Sequence, residues 1–293
     1  MKDQHSDNEE NSTPETITII NCVLNAPLML ISILGNALVL AAIIRTPSIR
    51  STHMIMLCSL AVSDLLVGLI AQPLFIADEL TKDPLINNLV VMVAYSVCGV
   101  SLLTMTTLSV DRFLALYYHM RYATLVTKSR VKFALIIIWL LNFLASGLYF
   151  WNRRLHSFLL GVSTATYFVI STFTYIRIYL IVRKHHSLIH IQQQRVQSSN
   201  TGNNSNIGRL KRSAFNIFLF YIALLFCYCP IYILLTVIAT SGKDSQAEWS
   251  FAHTAVFMNS SINPLLYCWR LRELRAAVVK TARQMLCKER VQN

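Results

Sequence analysis

Asp64 is the single charged residue at mid-span in the seven long apolar runs of this 293-residue chain. A carboxylate inside a spanning helix costs roughly 2.5–3.5 kcal/mol on insertion scales, so it faces a polar interior or a water-filled cavity and marks a functional site. The plainer alternative is a fixed polar contact that only joins two helices. Asp111-Arg112-Phe113 sets adjacent opposite charges at a helix end. The two can pair with each other, and a guanidinium released from the pair can dock a partner's carbonyls; a snorkelling cap is the plainer reading of that Arg. In Asn263-Pro264-Leu265-Leu266-Tyr267 the proline removes a backbone donor and kinks its helix. Asn263 can satisfy the freed groups, so the segment can work as a switch. No metal-ligand set and no nucleophile constellation is present, and an enzyme is not expected.

The elements that must position these residues are apolar helices. Hydrophobic residues make up 54%, charged residues 14%, and the mean hydropathy is +0.49, too little polar surface for a soluble globule of this length. Spans are predicted at 17–44, 54–77, 87–110, 132–150, 157–180, 213–240 and 249–269, each near the ~20 residues a bilayer requires. Strand-like alternation is absent, which favours helices over a barrel. The first run follows an acidic tail and lacks a basic flank and a cleavage site, so it reads as a first helix and not a removed signal. This divides the chain into a tail at 1–16, a spanning domain at 17–270 and a helix and tail at 271–293.

Charge sets the orientation. Of 26 Lys and Arg, 21 fall on the side of the odd-numbered connections and the tail, which places the N-terminus outside and the C-terminus in the cytoplasm. Anionic inner-leaflet lipid accounts for the net +12, with no nucleic acid needed. Six of seven cysteines lie in spans, so no loop disulfide is expected. Asn11-Ser12-Thr13 is a glycosylation acceptor on the outer face. Residues 191–208, rich in Gln, Asn and Ser, read as a mobile third inner loop. Beyond the last span, Leu271, Leu274, Val278 and Met285 share one helical face, the pattern of an amphipathic helix on the inner leaflet. Cys287 at its end is an acylation candidate.

Together these features make the chain similar to the rhodopsin-like (class A) G-protein-coupled receptors. The resemblance runs from the first span to the tail helix. It is carried by Gly35-Asn36, Leu60-Ala61-Val62-Ser63-Asp64, Asp111-Arg112-Phe113 where the family has Asp-Arg-Tyr, Trp139, Tyr175, and Asn263-Pro264-Leu265-Leu266-Tyr267. Gly35 and Asn36 also have a reading of their own, close helix approach and an amide bonded across helices. The resemblance implies an all-α membrane protein of the plasma membrane, a seven-helix bundle with a short amphipathic cytoplasmic helix. It implies that binding of an extracellular ligand activates a heterotrimeric G protein, with arrestin and membrane lipid as further partners. It assigns coupling to Asp111, Arg112, Tyr175, Asn263, Pro264 and Tyr267, both tyrosines being placed to swing toward Arg112. Asp64, Ser101, Asn259 and Asn263 match the family's sodium site; a hard cation wants several oxygens around one carboxylate. A protonated Asp64 in a water network is the alternative, and no other cofactor is implied.

Departures from the family pattern bear on ligand and resting state. Tyr228 takes the place of the toggle Trp, Tyr167 that of a span-five Pro, and Leu224 that of a common Phe. Asn87 stands where the family has the span-three Cys, and the partner Cys is also missing. Leu210 replaces an acid that locks Arg112 in many members, so high basal activity is expected. Ala94 replaces the Asp of amine receptors and Phe257 the Lys of opsins, which argues against an aminergic ligand and against attached retinal. The expected cavity residues are Gln72, Tyr95, Cys98, Tyr228, Tyr232, Trp249 and His253, with Asp78, Glu79 and Asp83 on one rim and Arg153, Arg154 and His156 opposite. Such a lining suits a lipid, a nucleoside or a small peptide equally. The missing disulfide, short second outer loop and missing Pro resemble the melanocortin branch and its lipid-receptor relatives, although that branch has Asp-Pro in span seven. The rival class is a transporter or channel in which Asp64 couples an ion; such folds show internal repeats or paired broken helices, and no repeat is visible.

Overall fold

The computed structural model describes residues 15–49, 51–118, 121–195, 221–234, 236–237 and 246–291. Lipid offers backbone groups no partner, so each spanning segment must close its own hydrogen bonds. The described residues accordingly form helices and no strand. They are α1 (Glu15–Arg45), α2 (Thr52–Thr81), α3 (Pro84–Tyr118), α4 (Lys128–Trp151), α5 (Arg153–Arg195), α6 (Tyr221–Leu234), α7 (Gln246–Arg270) and α8 (Arg272–Val291). Helices α1 to α4, and α5 over Arg153–Lys184, are long and apolar enough to cross a membrane. The described part of α6 is a shorter apolar helix.

Helices outrun their apolar cores. α3 continues to Tyr118, so Asp111 and Arg112 lie about two turns inside it and not at its end. The connections are tight. Lys82 closes α2 in the left-handed region (φ 52°) with its N–H on Asp78 O at 2.8 Å. Asp83 Oδ1 then accepts from Leu85 N at 2.8 Å, and Pro84 opens α3 where a missing N–H is no loss. Asn152 alone separates α4 from α5; its N–H bonds Leu148 O and its Oδ1 accepts from Leu155 N at 3.0 Å.

Two local features set the packing around Asp64. A π-helical turn at Val67–Ala71 precedes Pro73, whose ring cannot join the regular hydrogen-bond ladder. Gly35 of α1 lies against Pro264 of α7, where a Cβ would come within 2.9 Å of the proline ring. The core is shared by α2 (Leu57, Leu60), α3 (Leu102), α6 (Leu224), α7 (Phe257, Tyr267) and α8 (Leu274). α1 packs on α2, α7 and α8, and α3 on α2, α4 and α5.

α8 departs from the expected surface helix. Leu274 and Val278, with Ala277 and Thr281, are buried, and the helix packs on α1. Met285 remains exposed. The apolar face is divided because α1 offers a surface one turn from where α7 ends. Asn11 and Leu210 lie outside the described residues, as does the side chain of Cys287.

Candidate functional site

Asp64 is fully buried on α2. Its Oδ1 accepts from Ser101 Oγ of α3 and from Ser260 Oγ of α7, both at 2.9 Å, and its Oδ2 accepts from Asn263 Nδ2 at 2.8 Å. Asn36 of α1 donates to Ser32 O at 2.9 Å and to Ser260 O at 3.1 Å, while Ser32 Oγ donates to Asp64 O at 2.8 Å. One carboxylate thus ties three helices directly and a fourth through Ser32 and Asn36. Asn259 does not reach it; its Nδ2 lies 3.7 Å from Met105 Sδ, a weak acceptor. Ser260 takes that place and escaped the sequence reading, although it sits three residues before Asn263 on one helical face.

Hard oxygens surround this centre. Asn259 Oδ1 and Asn263 Oδ1 are buried with no hydrogen-bond partner among the described residues. Asp64, the hydroxyls of Ser101 and Ser260 and the unpartnered Asn263 Oδ1 form a donor set that fits a small hard cation.

A second polar node lies further along α1, α2 and α7. Asn25 Nδ2 donates to Thr254 Oγ1 at 2.8 Å and to Asn21 O at 2.9 Å, and Gln72 Nε2 approaches Asn25 Oδ1 at 3.5 Å. Asn21, Asn25 and Gln72 are all fully buried. Gln72 therefore belongs to this node and does not line the chamber described below. The π turn between Asp64 and Gln72 shifts the helical register, which a straight-helix reading of α2 omits. Asn21 and Asn25, four apart, were the available sign of a polar face on α1.

At one end of the bundle, Arg112 Nη2 meets Asp111 Oδ2 at 2.7 Å and its Nε the same oxygen at 3.1 Å. Tyr122 Oη donates to Asp111 Oδ1 at 2.6 Å. Burial, then the bond to Asp111, holds the Tyr122 phenol above its ordinary range. Arg112 and Tyr267 line a cavity of about 40 Å³ with Leu57, Met105 and Tyr221. Tyr175 is not among its lining; it stacks on Tyr221 with centroids 5.6 Å apart and planes 7° apart. Trp139 Nε1 donates to Ser59 Oγ at 3.0 Å, joining α4 to α2.

At the opposite end are two adjoining compartments. The deeper, about 60 Å³, is lined by Tyr95, Cys98, Tyr228, Tyr232 and Phe257. The other, about 320 Å³, is lined by Asp78, Glu79, Tyr149, His156 and Trp249. Ala94, Tyr95 and His253 belong to both. Glu79 is buried, pairs with Lys82 at 2.9 Å and accepts from Ser250 Oγ of α7. Asn87 Nδ2 donates to Asp78 Oδ2 at 3.0 Å, so the residue at the missing cysteine position joins α3 to α2.

Residues 35–157 match the family model described as 7 transmembrane receptor (rhodopsin family). The chain is 26% identical to adenosine receptor A2b of Gallus gallus, over 91% of this chain and 89% of that protein. It is 25% identical to adenosine receptor A3 of Ovis aries over 90% of each. It is also 23% identical to melanocortin receptor 4 of Danio rerio, over 98% of this chain and 90% of the relative. The match and the relatives support a rhodopsin-like (class A) receptor, weakly similar to each of them. The bundle, the Asp64 centre and the paired Arg112 therefore belong to a G-protein-coupled receptor of the membrane, at low identity to the named relatives.

Proposed function

We propose that this receptor takes its ligand from outside the cell in the chamber beside Glu79, and that the change reaches a cytoplasmic heterotrimeric G protein through Arg112. The observation that carries this reading is the position of Asp64. It ties α2, α3 and α7, and each of these helices contributes lining to the larger chamber at one end and to the Arg112 cavity at the other. A change in how α7 sits beside α3 at the chamber must therefore alter the polar centre. The excess of Lys and Arg on the α8 side supports a cytoplasmic Arg112 face. That face also serves arrestin in this reading, and α8 meets membrane lipid along its exposed residues.

In the resting state, Arg112 is held by Asp111. A sodium ion at Asp64, Ser101, Ser260 and Asn263 would favour that state by holding α3 and α7 to α2. Near-equal likeness to proteins named for adenosine and for melanocortin supports the receptor function without choosing a ligand.

The test is G-protein activation in cells expressing the parent and Arg112→Ala. Loss of signalling with surface expression retained is the expected result. Normal signalling by the variant would remove Arg112 from coupling, and ligand-free ion flux would favour the transporter or channel reading.

A further inference from the structure

We propose that the two-compartment chamber binds a small organic cation, its aromatic or apolar body in the deeper compartment and its protonated amine beside the carboxylates of α2. The inference deepens the receptor reading and rests on it only for the signalling consequence.

Ala94 leaves the chamber end of α3 without an acid, and from sequence alone that argues against an amine. The fold alters the argument, because Ala94 lines both compartments and Asp78 and Glu79 line the larger one with it. Charge that α3 does not supply comes from α2 into the same space. No Lys or Arg lines either compartment among the described residues. Lys82 balances Glu79, and Ser250 takes the other Glu79 oxygen. Asp78 has only the neutral Asn87 amide as its hydrogen-bond donor and no ion pair among the described residues, so its charge is the one left to be met.

The rest of the lining fits the same ligand. Tyr95, Tyr149 and Trp249 present rings to the larger compartment, and ring faces attract a cation within about 6 Å. Tyr149 already carries the Arg153 guanidinium at 5.0 Å from its centroid, so a ring at this end does accept a cation. Carboxylate and rings together hold an ammonium by a charge-assisted bond and by the ring quadrupole. The deeper compartment, walled by Leu102, Tyr228, Tyr232 and Phe257, receives the apolar body. An anionic ligand would be repelled by Asp78 and Glu79, and a neutral one would cover Asp78 without pairing it, which is costly.

The experiment melts purified full-length receptor in lipid nanodiscs with phenethylamine, tyramine and tryptamine, and with the uncharged 3-phenylpropanol and adenosine. At least one amine is expected to raise Tm with dose, the neutral probes less or not at all. Asp78→Asn keeps an acceptor for Asn87 while removing the charge, and should weaken the amine about tenfold or more; Asp78→Glu should retain it. The inference is overturned by stabilisation from a neutral probe and none from the amines, by no amine response at millimolar concentration, or by equal amine response in parent and Asp78→Asn. The charged-against-neutral comparison on the parent decides the matter even where a variant does not express. Nucleotide exchange on purified G protein is read alongside, with Arg112→Ala as control. Amine binding without exchange would keep the cation site and remove the G-protein reading. Exchange by the parent with no amine effect on Tm would do the reverse.

Discussion

Asp64 survives in an apolar interior because three donors face its two oxygens, and a buried charge is tolerated only when hydrogen-bonded or paired. A sodium ion beside it would add the missing countercharge. Raising sodium against a constant-ionic-strength organic cation should therefore lower basal signalling, and Asp64→Asn should abolish the response; equal responses in parent and variant would make Asp64 purely structural. Asp111 is the corresponding residue at the Arg112 end, held by Arg112 and by Tyr122. Tyr122→Phe removes one donor from a buried carboxylate. The expected loss is about 1 kcal/mol, roughly fivefold in the resting equilibrium, seen as raised ligand-free nucleotide exchange. Because the folded phenol titrates above its ordinary value, its contribution is fully present below pH about 10 and is lost only as pH rises through the raised value. The Tyr122 contribution should thus be flat across physiological pH, and a change with pH near neutrality would point to another group.

α7 makes contact with the rest of the bundle through polar side chains along its length. Ser250 bonds Glu79, Thr254 meets Asn25, Ser261 Oγ donates to Leu28 O at 2.7 Å, and Ser260 and Asn263 reach Asp64. Such a seam requires close approach, and Gly35 provides it against the ring of Pro264. Gly35→Val should separate the two helices and lower stability by about 1–3 kcal/mol through overpacking, read as a fall in Tm of purified receptor. An unchanged Tm would mean that α1 moves aside freely and that the seam does not depend on this contact. The π turn of α2 acts on the same scale, because it turns Gln72 into the seam and leaves Asp78 and Glu79 to line the chamber.

At the scale of the whole molecule, the chamber end is held without a covalent tie among the described residues. The six cysteines with described side chains are free thiols. Asn87 joins α3 to α2 through Asp78, and Asn88 Oδ1 accepts from Tyr149 Oη at 3.3 Å and Arg153 Nη2 at 3.1 Å, joining α3 to α4 and α5. Reductant should leave the Tm of the receptor unchanged. Asn88→Ala should lower it by about 1–2 kcal/mol of stability, since two donors lose their acceptor. A large fall in Tm on reduction would show that a disulfide shares the task.

Hydropathy and motif spacing were enough for an all-helical bundle with five helices long and apolar enough to span, for the buried Asp64 and for the Asp111-Arg112 pair, because a bilayer imposes segment length and charge placement directly on composition. Partners across helices were another matter. Ser260 in place of Asn259 at Asp64, Asn25 with Thr254, and α8 turned against α1 depend on how far each helix is rotated about its axis. Rotation is set by small contacts such as Gly35 on Pro264 and by one π turn in α2. The amine question divides in the same way. Residue type at 94 removed the acid from the chamber end of α3, and only the tertiary structure placed Asp78 and Glu79 on the chamber that Ala94 lines, because two helices meeting across a cavity share a surface that neither sequence segment specifies alone.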